Sequence, residues 1–102
     1  MKTKTKTKTV LVRCPGSGVW VGQLVKRTTN EITLKKARRL WRWRVADGQG
    51  IELVAVAKFG LDPAESRVSP MTDVLLIGAR EIIPVGGPVA RQILSLSNAS
   101  PS

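Results

Sequence analysis

Residues 37–45 read ARRLWRWRV, and the period assigned to them decides what the chain becomes. At period two, as a strand, Arg39, Trp41 and Trp43 share one face, while Arg38, Leu40, Arg42 and Arg44 share the other. One face then offers two indoles to a core or a ligand, and the other sets three guanidinium groups in a row. At helical spacing Trp41 would fall beside Arg38 and Arg44, and charge would separate from apolar surface less cleanly. The strand reading is the better one.

The flanks agree with it. Upstream, residues 10–13 begin a strand and PGSG at 15–18 turns the chain. Val19, Trp20, Val21, Leu24 and Val25 then make a second β-rich run, with Gly22 as a bulge or a point of close backbone approach. Thr28, Thr29 and Asn30 form the next turn, and residues 31–34 alternate polar and apolar as a third strand. This spacing is that of consecutive hairpins, so an antiparallel meander follows. Downstream, DGQG at 47–50 breaks the pattern. Residues 51–59 (IELVAVAKF) have the length and content of a short buried helix, closed by Gly60 with Asp62-Pro63 beyond, although their β-branched content leaves a strand open. Residues 73–77 and 79–85 read as two more strands about Gly78, and residues 89–96 as a last short helix with Pro88 in its first turn. The expected fold is α+β and mostly β. It is a small antiparallel meander or partly open SH3-like barrel, with one inserted short helix and a C-terminal short helix. Residues 1–9 are expected to be a flexible Lys/Thr arm, 10–96 a single globular domain, and 97–102 a disordered tail.

Composition bounds the chemistry. A chain of 102 residues with 42% hydrophobic content suits one core, burying about 65% of its extended surface. The lone Cys14 rules out a disulfide framework within the chain, and the absence of His removes imidazole metal ligands and the commonest general base. Cys14 lies beside Arg13, but a single cysteine at a strand end reads as a small core residue. PGSG is not followed by the Gly-Lys-Ser/Thr of a phosphate loop. The carboxylates are scattered, with Asp62 and Glu65 the closest pair, so no metal or glycosidase arrangement can be assembled from them. Neither enzymatic activity nor a cofactor is expected. Apolar runs such as 74–77 are far shorter than the roughly 20 residues of a membrane span, so the expectation is a cytoplasmic protein without a membrane partner.

The net charge of +10 is unevenly placed. Residues 1–9 carry Lys2, Lys4, Lys6 and Lys8 and no acid, and residues 26–44 carry eight basic side chains against Glu31 alone. Residues 45–102 carry four basic and six acidic groups. A charge block confined to one arm and one segment attracts phosphate, nucleic acid or an acidic protein face.

Two resemblances add to this. The order GVWVGQLVKR, EITLKKARRLWRW, ELVAVAKFGLDPAESRVS and EIIPV resembles a family of small phage and prophage proteins. Gly22, Leu24, Val25, Arg27, Glu31, Leu34, Ala37, Arg38, Arg39, Leu40, Trp41, Trp43, Glu81, Ile82 and Ile83 carry the likeness. It implies a phage origin, and with it the cytoplasm of a bacterial host, but supplies no activity. More loosely, Val21, Gly22, Leu24, Ile32, Leu34, Ala37, Leu76, Ile77, Gly78 and Ile82 are similar in pattern to Sm-like proteins. That resemblance implies a bent five-stranded barrel that assembles in rings and binds RNA or nucleotides.

The expected function is therefore non-enzymatic binding of a phosphate-bearing ligand, either nucleic acid or a nucleotide signal of host defence. Arg38, Arg39, Arg42 and Arg44, with Lys35, Lys36 and Arg27, would hold phosphates. Trp41 or Trp43 would stack on a base, and Lys2, Lys4, Lys6 and Lys8 would add non-specific affinity. A small core would also want Trp20, Trp41 and Trp43, so core packing stays open for each. The competing reading is a protein-interaction or structural role in which the basic strand docks on an acidic face. In that role the protein would inhibit a host nucleic-acid enzyme or serve as a virion component. A homo-oligomer is expected, since self-association would cover sheet edges that a short meander leaves exposed.

Overall fold

The computed structural model describes residues 8–48, 50 and 52–99. Lys2, Lys4 and Lys6 lie outside them. The order is β1 (Lys8–Cys14), β2 (Gly18–Arg27), β3 (Glu31–Arg42), a 3-10 turn (Ala46–Gly48), α1 (Leu53–Phe59), β4 (Arg67–Val68), β5 (Thr72–Ile77), β6 (Glu81–Pro84) and α2 (Gly87–Ser95). The strands form one antiparallel sheet in the order β4-β3-β2-β1-β6, with β5 also pairing β3. This is the mostly-β, α+β fold the pattern implies, compact and not fully closed.

Three boundaries differ from the sequence reading. Lys8 and Thr9, assigned to the arm, begin β1, where Lys8 faces Leu24 and Thr9 faces Gln23. Residues 31–34 and 37–45 are not two strands; they merge into the single twelve-residue β3, which stops at Arg42. Asn98, placed in the tail, makes a parallel bridge with Val68, and the Ala99 N–H donates to Val68 O at 2.9 Å. The two-residue β4 that receives this bridge has no sequence signal, being too short to show a period.

The sheet carries a core on each face. Val10, Val12 and Cys14 of β1 pack with Ile32, Leu34, Ala37 and Leu76 inside the barrel. Leu11 points the other way, joining Val21, Leu40, Val56, Leu61 and Ile93 beneath the two helices. A strand buried on both sides reads as a continuous apolar run, which is why Val10, Leu11 and Val12 follow one another without alternation. Burying each such side chain contributes about 1.5–3 kcal/mol.

β3 serves both cores because its register slips. Val21 faces Arg38 but Gln23 faces Lys35, so β3 spends one extra residue opposite Gly22. Lys36 takes that extra step with a left-handed φ of 51°. Before the bulge, Ile32 and Leu34 face the barrel; Ala37 then faces it, while Arg38 and Leu40 turn to the helix side. Gly22 is required there, since a Cβ on it would stand 2.9 Å from both Cα and Cβ of Ala37. The close approach expected of Gly22 is the observed one.

The helices close the second core. α1 ends at Gly60 (φ 90°), whose position lets Gln92 of α2 reach the next residue: the Leu61 N–H donates to Gln92 Oε1 at 3.0 Å, and Gln92 Nε2 donates to Leu61 O at 2.6 Å. Pro88 sits in the first turn of α2, as the sequence suggests. No helix among the described residues is long and apolar enough to cross a membrane.

Candidate anion-binding groove

The fold separates the arginines that the sequence places together. Arg38 is only 1% exposed. Its guanidinium lies at the C-terminal end of α2. Nε donates to Ser69 O at 2.8 Å, Nη1 to the carbonyls of Ile93 (3.1 Å), Leu94 (3.2 Å) and Leu96, and Nη2 to Asn98 Oδ1 at 2.7 Å. These are the carbonyls that a helix leaves unpaired at its C-terminus, and a cation there is favoured by the helix dipole. Burial lowers the Arg38 pKa from its ordinary value. Direct phosphate contact by Arg38 is thus corrected: every nitrogen of the group is engaged with protein oxygens inside the fold. The row of three guanidinium groups does not exist.

Arg39 and Trp41 go to the opposite face. The Arg39 guanidinium lies 4.6 Å from the Trp41 ring centroid and packs across Gly18, where a Cβ would meet Nε at 2.7 Å. That cation–π contact takes up a face of the indole that the sequence reading offers to a base. The buried Trp41 Nε1 has no hydrogen-bond partner among the described residues. Trp43 is half-buried against the helix-side core, and Trp20 is half-buried against the barrel core, its Nε1 donating to Ser17 O at 3.0 Å. Lys35 and Lys36 are exposed at the bulge, where the Lys36 N–H donates to Asp73 Oδ1 at 3.3 Å. Arg27 is exposed at the other end of the sheet, beside a cavity of about 740 Å³ that Arg80 and Glu31 also line. Lys8 is exposed at the start of β1.

What remains together is the pair at the end of β3. Arg42 pairs Arg67 across the β3–β4 ladder, just after a register shift between Leu40 and Arg42. Both line a groove of about 440 Å³ whose floor and far wall are Glu65, Ser66, Val68 and residues 96–99. Arg42 Nη2 stands 3.7 Å from Glu65 Oε1, with side chains 66% and 49% exposed. Such an exposed ion pair contributes only about 0–1 kcal/mol. Arg44, just beyond, is exposed, and its N–H donates to Ser66 Oγ at 3.1 Å, so the turn before β4 is held against the end of β3. Arg67 is the groove residue that sequence reasoning missed. It lies 25 residues beyond Arg42 in a near-neutral segment, and only the β3–β4 pairing brings it back.

Among the described residues no three His, Cys, Asp or Glu side chains gather as metal ligands. The groove is polar and cationic at its rim, and neither Trp41 nor Trp43 lines it. Its chemistry suits an oxyanion held by planar donors rather than a stacked base.

The architecture is thus a small, open, two-core β fold with an arginine-rimmed groove. The profile of a family described as "Domain of unknown function (DUF6948)" matches residues 7–93, and the chain belongs to that family. No curated protein and no solved structure matches it.

Proposed function

We propose that the protein is a non-enzymatic binder of a phosphate-bearing ligand, and that the groove at the end of β3 is where the phosphate sits. The observation that carries this reading is the pairing of Arg42 with Arg67. Two guanidinium groups paired across the ladder at the mouth of one groove can share an anion through charge-assisted contacts. Nucleic acid bound through its sugar–phosphate backbone is favoured over a free nucleotide, because the residues lining the groove include no aromatic ring for a base. Lys8, with Lys2, Lys4 and Lys6 preceding it, adds non-specific attraction along a polyanion. The likeness to phage and prophage proteins, carried by the ARRLWRW block, makes a viral role in the host cytoplasm, counter-defence included, part of the same reading.

The test is titration of a labelled single-stranded oligonucleotide at several salt concentrations. Log K is expected to fall linearly with log salt, by about 0.7 for each phosphate neutralised. Arg42→Ala and Arg67→Ala should each weaken binding about tenfold, and the double variant should reduce the slope by roughly 1.4. Unchanged affinity and slope in the double variant would refute the groove as the site. Heat from a mononucleotide with none from the oligonucleotide would instead favour the small-ligand form.

A further inference from the structure

Arg38 raises a question that its hydrogen bonds do not answer. Its charge is buried, yet among the described residues its acceptors are all neutral: four backbone carbonyls and one side-chain amide oxygen. Buried charges are ordinarily paired with an opposite charge, because hydrogen bonds alone offset only part of the cost of leaving water. The C-terminal dipole of α2 supplies roughly half an elementary charge, so the guanidinium remains only partly compensated. Two of its acceptors show where the rest could come from. Leu96 and Asn98 each bond to Arg38 and also line the Arg42–Arg67 groove. The buried guanidinium therefore lies one residue beneath the groove, separated from it by the Asn98 amide.

We propose that an oxyanion in this groove is the counter-charge of Arg38, coupled to it through Asn98, so that the groove takes phosphate or a phosphate ester as a structural partner of the buried guanidinium. This rests on the anion reading of the groove and deepens it. Arg42 and Arg67 touch the ligand, while Arg38 acts from below as a positioning residue. It fixes residues 96–98 as the groove wall and raises the potential on the groove floor. Among the described residues the groove's lining offers one carboxylate, Glu65, and that group is turned to Arg42 at the rim.

Replacing Arg38 would strip five acceptors of their donor and test folding rather than coupling, so the informative substitution is Asn98→Asp. It places a carboxylate where an oxygen already stands 2.7 Å from Arg38 Nη2, giving the guanidinium an internal counter-charge. Thermal unfolding of the full chain is followed with inorganic phosphate, chloride being adjusted to hold ionic strength constant. The unsubstituted protein should gain roughly 5–10 °C at ten times its phosphate dissociation constant. Asn98→Asp should unfold at a higher temperature than the unsubstituted protein without phosphate, and should lose most of the phosphate-dependent shift. Asn98→Ala, which removes the linking amide but adds no charge, should lower the starting temperature and retain part of the shift, since Arg38 still lacks a counter-charge. A protein indifferent to phosphate at fixed ionic strength overturns the proposal, as does an Asn98→Asp variant that responds like the original. Oligonucleotide binding lost in the Arg42 and Arg67 variants, with phosphate shifts untouched by Asn98→Asp, would leave the proposed function standing and remove the coupling to Arg38. The reverse pattern, a phosphate shift abolished by Asn98→Asp with no oligonucleotide bound, would keep the coupling and remove the nucleic-acid reading.

Discussion

Substituting Gly22→Ala should damage this fold through a single methyl group. Gly22 has no left-handed φ, so alanine is compatible with its backbone and only space is at issue. The added Cβ would stand 2.9 Å from Ala37 Cα, 2.9 Å from Ala37 Cβ and 3.2 Å from Lys35 O. Two of these three neighbours are backbone atoms, which cannot rotate away as a side-chain end would. Relief must come from parting β2 and β3 at the bulge, with overpacking of this kind costing about 1–3 kcal/mol. Against this, alanine reduces the freedom of the unfolded chain, returning about 0.4–1 kcal/mol. The net loss is about 1–2 kcal/mol, or a Tm lower by roughly 4–16 °C for a domain of this size. Urea unfolding followed by tryptophan fluorescence measures it, since Trp20 lies two residues away. A second variant adding Ala37→Gly removes one of the clashing atoms and should recover part of the loss. Gly22→Ala as stable as the original protein would show that the strands can part at the bulge without cost, and the packing argument would fall.

Two further perturbations probe neighbouring features. Lys36→Gly relieves a left-handed residue, a conformation that costs a non-glycine residue about 1–2 kcal/mol, while the added flexibility of glycine takes back roughly 0.5–1 kcal/mol. The urea midpoint should therefore rise slightly, and a fall would mean that the Lys36 side chain itself holds the bulge. Glu65→Gln removes the carboxylate beside Arg42 and should raise oligonucleotide affinity about threefold while shifting stability by no more than ~0.5 kcal/mol; weaker binding would show that Glu65 orients Arg42 for its ligand rather than competing with it.

Much of the fold could be read from composition and spacing. The hairpins, the short helix closing at Gly60 and the strands about Gly78 all announce themselves through turn residues and β-branched runs, signals that depend on nearest neighbours alone. The arginine segment could not be read the same way. A strict period of two assigns Arg38 and Arg42 to one face, and that holds only if no irregularity falls between them. The register shift between Leu40 and Arg42 is a property of the pair β3–β4, and the bulge at Lys36, where Gly22 admits Ala37, decides which face Arg38 itself takes; a single strand's sequence carries no mark of either. Arg67 was hidden for a related reason: a two-residue strand has no period, and its partner is fixed by tertiary pairing. The buried state of Arg38 likewise depends on α2 delivering three carbonyls from more than fifty residues away.

The slip at Lys36 has a consequence for how insertions and deletions would be tolerated. β3 behaves as two half-strands joined out of phase, and the extra residue is what joins them. Deleting Lys36 alone would leave Lys35 opposite Gln23 and bring Ala37 opposite Gly22, so strict alternation would resume with Ala37 still in the barrel and Arg38 still beneath the helices. Deleting two residues there would bring Arg38 to the barrel side and turn over every side chain after it. Parity counted from the bulge is what this segment has to conserve if the groove is to keep its wall.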